Sequence, residues 1–131
     1  LVLGASVEIV GVVSSHAPAY ALSFEAGRLI EAPVSTELAD GMACRVPDAE
    51  PMALINAYAS RVVRVSDAEV ADAMRMLFAD THNVAEGAGA AALAAAYAER
   101  SRIRGRTVAV VLSGGNVDSD MFGRVLAGAS A

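Results

Sequence analysis

The sequence predicts an α/β fold of three layers: a mostly parallel sheet with helices on both faces. Short β-branched runs alternate along the chain with stretches of helical length, the order that builds parallel sheets. The run Thr107-Val108-Ala109-Val110-Val111-Leu112 carries no charge at any position, the pattern of a strand covered on both faces. Helix-start residues stand before the intervening stretches.

Val7-Glu8-Ile9-Val10-Gly11-Val12-Val13 reads as a buried parallel strand closed by Ser14-Ser15. Tyr20 to Gly27 reads as a short helix, with Pro18 near its start and Gly27 at its end. Arg28 to Arg45 is loop-rich and contains Pro33 and the turn-prone Asp40-Gly41. Pro51 to Tyr58 suggests a helix after a turn at Pro47-Asp48. Arg61-Val62-Val63-Arg64-Val65 is the next strand. Ser66-Asp67-Ala68-Glu69 has the spacing of a capping box, in which the Ser66 hydroxyl and Glu69 carboxylate satisfy each other's backbone N–H. The helix it opens sets Val70, Met74, Leu77 and Phe78 on one face.

Asn83-Val84-Ala85-Glu86 is a second start signal, and the alanine-rich helix after it runs through Tyr97. Gly105 is expected to end that helix, with Arg100, Arg102 and Arg104 where cations favour the dipole. Thr107 to Leu112 is expected to be a central strand, with Ser113-Gly114-Gly115-Asn116 at its carboxyl end. Asp118 to Ala127 gives a last short helix. There is no repeat, low-complexity tract or linker.

The composition limits what such a domain does. Of 131 residues, 55% are hydrophobic and 19% charged, which suits a buried core. A net charge of -5 leaves no basic footprint for nucleic acid. No uncharged stretch reaches the length of about 20 apolar residues that spans a bilayer, so no membrane helix is expected. Leu1 to Val13 includes Glu8 and no basic segment, and does not read as a signal peptide. Cys44, the single cysteine, leaves no internal disulfide and suits a reducing, cytoplasmic setting. All ten basic residues are arginine, so chemistry that needs a lysine amine must draw it from outside this chain.

Ligands of open α/β sheets bind beyond the carboxyl ends of strands. Ser113 stands at such an end, and glycines after it let the backbone approach a ligand closely. Ser-Gly-Gly-Asn is equally good turn chemistry, and on the residues alone both readings stand. A phosphate loop does not fit, because no Gly-Lys-Ser/Thr follows. His16, His82 and Cys44 lie too far apart for a zinc cluster, and no metal site is expected from them. Cys44 reads as a small core residue; Met42, Met52, Met74, Met76 and Met121 read as packing, and Asp40 as a turn residue.

Val110-Val111-Leu112-Ser113-Gly114-Gly115-Asn116-Val117-Asp118 resembles the C-terminal signature of the serine/threonine dehydratase family, fold type II pyridoxal-phosphate enzymes of the tryptophan synthase β-like group. Further segments resemble the family in the same order: Glu8 to Val12, Ser23 with Ala26-Gly27, Ala39-Asp40-Gly41, Val65-Ser66-Asp67 with Glu69, and Glu86 with Gly89-Ala90-Ala91. Pyridoxal phosphate is the cofactor the resemblance implies. It implies that Ser113 bonds the pyridine nitrogen. A carboxylate there would keep that nitrogen protonated and make the ring a strong electron sink. A neutral hydroxyl leaves it largely unprotonated, which favours expulsion of a β-leaving group.

The resemblance sets Gly41 against the cofactor, Glu86 near its ring, and Gly114 and Asn116 in the cofactor-binding turn. Read alone, Glu86 is equally a first-turn or capping carboxylate. The family form has proline after this glutamate, where this chain has Gly87. Relatives that bind a cation carry acidic residues where this chain has Val13 and Ala19. No divalent site is therefore expected; Ala17 could still offer a carbonyl to a monovalent ion.

The family's Schiff-base lysine, phosphate-binding glycine loop and substrate-carboxylate loop lie upstream of the matched segments. Residues 1–131 are accordingly expected to be the C-terminal part of the large, cofactor-binding domain, inactive alone. The end of the chain shortly after the signature resembles the catabolic type, without a regulatory domain. The activity implied is β-elimination from threonine or serine, with deamination to a 2-oxo acid and ammonia, in a homo-oligomer. An amino-acid racemase or other ammonia-lyase of the same fold type, or a catalytically dead α/β binding or oligomerisation module, are the alternatives.

Overall fold

The computed structural model describes residues 7–128; residues 1–6 and 129–131, the outer ends of the domain assigned above and the start of Leu1 to Val13, lie outside them. Two strands, β1 (Val10–Ser14) and β2 (Arg61–Val65), pair in parallel, with Val10 opposite Arg61 and Ser14 opposite Val65. The connection between them carries α1 (Ala19–Ala26), a 3-10 turn at Asp40–Met42 and α2 (Ala49–Tyr58). After β2 come α3 (Asp67–Thr81), α4 (Gly87–Ala98) and α5 (Ser119–Leu126).

Strand alternation sorts these helices onto two faces. Val12, Val63 and Val65 point into a core with Val70, Met74, Ala90, Ala91 and Ala94 of α3 and α4. Arg64 points the other way and pairs with Glu25 of α1 at 2.8 Å. Helices thus cover both faces of a parallel pair, the mixed α/β arrangement expected. α4 is alanine at most of its buried positions, so its backbone packs closely on α3 and the sheet. Phe78 of α3 and Phe122 of α5 meet edge to face, ring centroids 5.5 Å apart, with Phe122 packed against this core.

Local signals in the sequence produce several helix ends. Ser66 and Glu69 form the capping box in full. Gly27 caps α1 at φ 65°, a left-handed position that glycine adopts without steric cost. Asp48 and Asp118 cap α2 and α5 with their carboxylates. Met52 and Met74 are buried, and Met42, Met76 and Met121 pack against the core as partly buried side chains.

Several expectations are corrected. β1 starts at Val10 rather than Val7 and includes Ser14, whose hydroxyl accepts the His16 N–H at 3.1 Å. α4 ends at Ala98, well before Gly105, because Glu99 leaves the helical path and its carbonyl accepts the Arg102 and Ile103 N–H groups in successive turns. Of the arginines there, Arg100 does sit at the helix C-terminus, donating to the Tyr97 carbonyl at 2.9 Å and lying over the Tyr97 ring, whereas Arg102 reaches Glu8 and Glu99. Asn83 does not cap α4; its side-chain amide donates to Thr81, and the helix begins after Glu86.

The largest departure is Thr107 to Leu112, which joins no sheet among the described residues. A strand is defined by a partner backbone, and none lies alongside it. Val108, Val110, Val111 and Leu112 are exposed as a result, Val111 at 73%. Among the described residues no helix is long and apolar enough to cross a membrane.

Candidate functional site

The loops at the carboxyl ends of the strands carry most of the residues singled out in the sequence. Val84 to Gly89, the entry to α4, is where they meet. The Glu86 N–H donates to the Gly114 carbonyl at 3.1 Å, and the Asn116 N–H donates to the Glu86 carboxylate at 3.1 Å. Residues far apart in sequence are thereby joined backbone to backbone.

Glycine is required at this junction because the chains touch. A Cβ on Gly89 would lie 2.3 Å from the Gly114 carbonyl oxygen, and one on Gly115 would lie 2.5 Å from that of Val84. A Cβ on Gly87 would fall 2.0 Å from the Leu38 carbonyl oxygen. Gly41 faces the same helix entry: a Cβ there would lie 3.0 Å from the Ala88 Cβ and 4.0 Å from Glu86 Oε1. A Cβ on Gly114 would come still closer to Glu86 Oε1, at 2.5 Å. Glu86 Oε1 therefore looks into the space that side chains at Gly41 and Gly114 would otherwise fill.

Four of the five residues proposed for the cofactor, Gly41, Glu86, Gly114 and Asn116, are thus brought together. Ser113 is next to this cluster in the chain and exposed. Glu86 makes no side-chain cap to its own helix, so the capping reading of this carboxylate is replaced by its bond to Asn116.

An open apolar concavity of about 710 Å³ runs along the outer edge of β1. Gly11, Val12, Val62, Met42, Leu54 and Tyr58 help to line it, and Asp40 and Gly41 stand at its border; Glu86 and residues 113–116 do not line it. Cys44 is on its wall, partly exposed, with its thiol donating to the Val46 carbonyl, and is not the core residue expected. It lies outside the core because Ala43 and Cys44 line the open concavity.

A second cluster was not apparent in the sequence. The Asp67 carboxylate accepts from the Thr36 hydroxyl at 2.8 Å and the Glu37 N–H at 3.2 Å, with His16 Nδ1 at 3.4 Å. Burial pushes this carboxyl up, but Thr36, the Glu37 N–H and His16 outweigh it and hold it below the ordinary aspartate value. Ser35 N–H also donates to the His16 carbonyl, so the loop that leads to Gly41 is fastened to both strand ends. Among the described residues no group of His, Cys, Asp and Glu is placed to hold a metal ion.

A parallel β-α domain with backbone junctions beyond its strand ends has the architecture in which open α/β sheets place their ligand sites. Comparison with known proteins gives the class. Residues 3–114 match the family model for pyridoxal-phosphate dependent enzyme, and the chain belongs to that family.

It is 35% identical over 120 residues to an L-threonine ammonia-lyase of Thermotoga maritima, covering 92% of this chain and 30% of that protein. It is 39% identical over 113 residues to an L-threonine ammonia-lyase of Geobacter sulfurreducens, covering 86% of this chain and 28% of that protein. The processed form of threonine deaminase isoform 2 from Solanum lycopersicum superposes with a TM-score of 0.86 at 26% identity, over 96% of this chain and 36% of that one. The fold is accordingly part of a fold type II pyridoxal-phosphate enzyme domain. The chain spans less than a third of the length of these curated relatives.

The residues present fit one side of the cofactor. Gly41 and Gly114 leave bare backbone beside the Glu86 carboxylate, and an exposed hydroxyl stands next to Gly114 at Ser113. An anchoring amine is not among these residues, since the chain has no lysine.

Proposed function

We propose that the full-length protein is a pyridoxal-phosphate dependent threonine/serine dehydratase, and that residues 1–131 are the C-terminal part of its cofactor-binding domain. The observation that carries this reading is the Ser113-Gly114-Gly115-Asn116 turn held against Glu86, in a chain whose relatives are threonine ammonia-lyases. The overall reaction converts threonine or serine to a 2-oxo acid and ammonia.

Bound pyridoxal phosphate supplies the electron sink that acidifies the Cα–H of an amino acid and lets a β-hydroxyl leave. The chain's own residues set the conditions. The Ser113 hydroxyl would hold the ring nitrogen and, being neutral, would leave it largely unprotonated, the electronic setting that favours elimination. Gly41 would leave room for the ring close to the backbone. Gly114 and Asn116 shape the turn from which Ser113 projects, and Glu86 would line the cofactor near its ring. The base that takes the Cα proton is a lysine outside this chain, so the 131 residues alone are inactive. The whole enzyme is a cytoplasmic homo-oligomer in this reading.

The test is an assay of the full-length protein for keto acid and ammonia from threonine and from serine, with and without added cofactor. Product that depends on the cofactor supports the reading; no product from either amino acid overturns it. Ser113→Ala is expected to cut the rate of elimination at least tenfold, and an unchanged rate would remove Ser113 from the mechanism.

A further inference from the structure

We propose that Glu86 is a positioning residue, whose carboxylate fixes the Ser113 turn by holding the Asn116 N–H. Four observations converge on it. Glu86 is the N-cap residue of α4, yet its side chain makes no cap bond to its own helix. Its carboxylate instead accepts the Asn116 N–H at 3.1 Å, across 30 residues. Its own N–H holds the Gly114 carbonyl at 3.1 Å, so one residue grips the turn at two points. The side of the turn facing Glu86 has no side chain, since a Cβ at Gly114 would meet Glu86 Oε1 at 2.5 Å.

The two grips act on residues 114 and 116. Ser113 precedes both, and the direction of its side chain follows from the path of the turn that the two grips fix together. Losing the carboxylate leaves the Gly114 grip, a backbone contact, but frees Asn116 to move. The glutamate thus acts on a ligand of Ser113 through the turn. A glutamine would do the same work, because its side-chain oxygen can accept the same N–H. An aspartate would not, because its carboxylate is withdrawn by one methylene, about 1.5 Å, beyond hydrogen-bond reach.

The cofactor arm of the test rests on the proposed function; the backbone arm does not. In full-length protein without cofactor, hydrogen–deuterium exchange of the peptide covering residues 113–118 reports the Asn116 amide. Glu86→Ala is expected to speed that exchange about tenfold, the loss of one hydrogen bond to a charged acceptor. Glu86→Gln is expected to stay within about threefold of the parent. In the second arm, the affinity for pyridoxal phosphate, read from its absorbance band, is expected to fall about tenfold in Glu86→Ala and to be restored in Glu86→Gln.

Unchanged Asn116 exchange in Glu86→Ala overturns the proposal. So does a glutamine variant as impaired as the alanine variant, since charge rather than position would then be the property that matters. If Glu86→Ala does not fold, Glu86→Asp is read in its place with the same expectations. If the parent protein binds no pyridoxal phosphate at all, the proposed function fails, while the exchange arm still decides the role of Glu86.

Discussion

Gly89→Ala places the heaviest demand on the structure for the smallest chemical change. Its Cβ would lie 2.3 Å from the Gly114 carbonyl oxygen, where ordinary contact begins at 3.4 Å. Gly114 must therefore retreat by about 1 Å. That carbonyl accepts the Glu86 N–H at 3.1 Å, so the retreat also breaks a hydrogen bond. Gly89 is buried and both partners are backbone, which leaves no flexible side chain to absorb the displacement.

Overpacking of this kind costs about 1–3 kcal/mol and the lost hydrogen bond about 1 kcal/mol more. The better helix propensity of alanine returns about 1 kcal/mol. The net expectation is a destabilisation of about 1–3 kcal/mol, read as a lower Tm of the full-length protein. Gly123→Ala is the control, because a Cβ there meets nothing within 4 Å in α5. It is expected to hold or raise the Tm by the propensity term alone. A Gly89→Ala protein as stable as the parent would refute the close approach of α4 to the Gly114 turn.

Ser66→Ala removes the hydroxyl half of the capping box and is expected to cost about 1 kcal/mol by denaturant titration. Ser23→Ala is expected to cost about 1–3 kcal/mol, because the buried hydroxyl donates to the Ala19 carbonyl at 2.7 Å and accepts the Ile30 N–H at 2.8 Å. Asp67 makes stability fall in acid. Its folded carboxyl titrates below the ordinary value, so its contribution is complete above about pH 4 and is lost as pH drops through the folded pKa. Asp67→Asn should flatten that limb of a stability-against-pH curve, and an unaltered limb would remove Asp67 as its source.

What was legible in the sequence was what neighbours along the chain decide. Ser66 and Glu69 satisfy each other within one helical turn, and Gly27 needs only its own φ, so both were readable. Arg61 to Val65 read correctly because its partner β1 is present to define it. Thr107 to Leu112 has the same character of sequence but no backbone beside it, and composition alone cannot supply one. The end of α4 was misplaced because Glu99 leaves the helical path and its carbonyl closes turns with the Arg102 and Ile103 N–H groups, which the composition of the stretch does not record.

The site divides in the same way. Gly41, Glu86, Gly114 and Asn116 were singled out through motif order, and the structure brings them to one helix entry. The bond from Asn116 to Glu86 was not readable, because its partners are 30 residues apart and a backbone donor leaves no mark in the sequence. His16, Thr36 and Asp67 were missed for a related reason: each reads as an ordinary loop or capping residue until β1 and β2 bring the loops side by side.

The alanines of α4 give the helix two unequal sides. Ala90, Ala91, Ala94 and Ala95 are buried, whereas Tyr97 and Ala98 are exposed. Every methylene added on the inner side pushes α3 and the sheet away from the helix axis, and the loops seated on its amino end move with them. A saturation scan of this helix should therefore oscillate with the turn of the backbone: nearly every replacement rejected at the four inner alanines, nearly every one accepted at Ala98. The methyl groups act as spacers, and their size sets the gauge between two loops that never touch the middle of the helix.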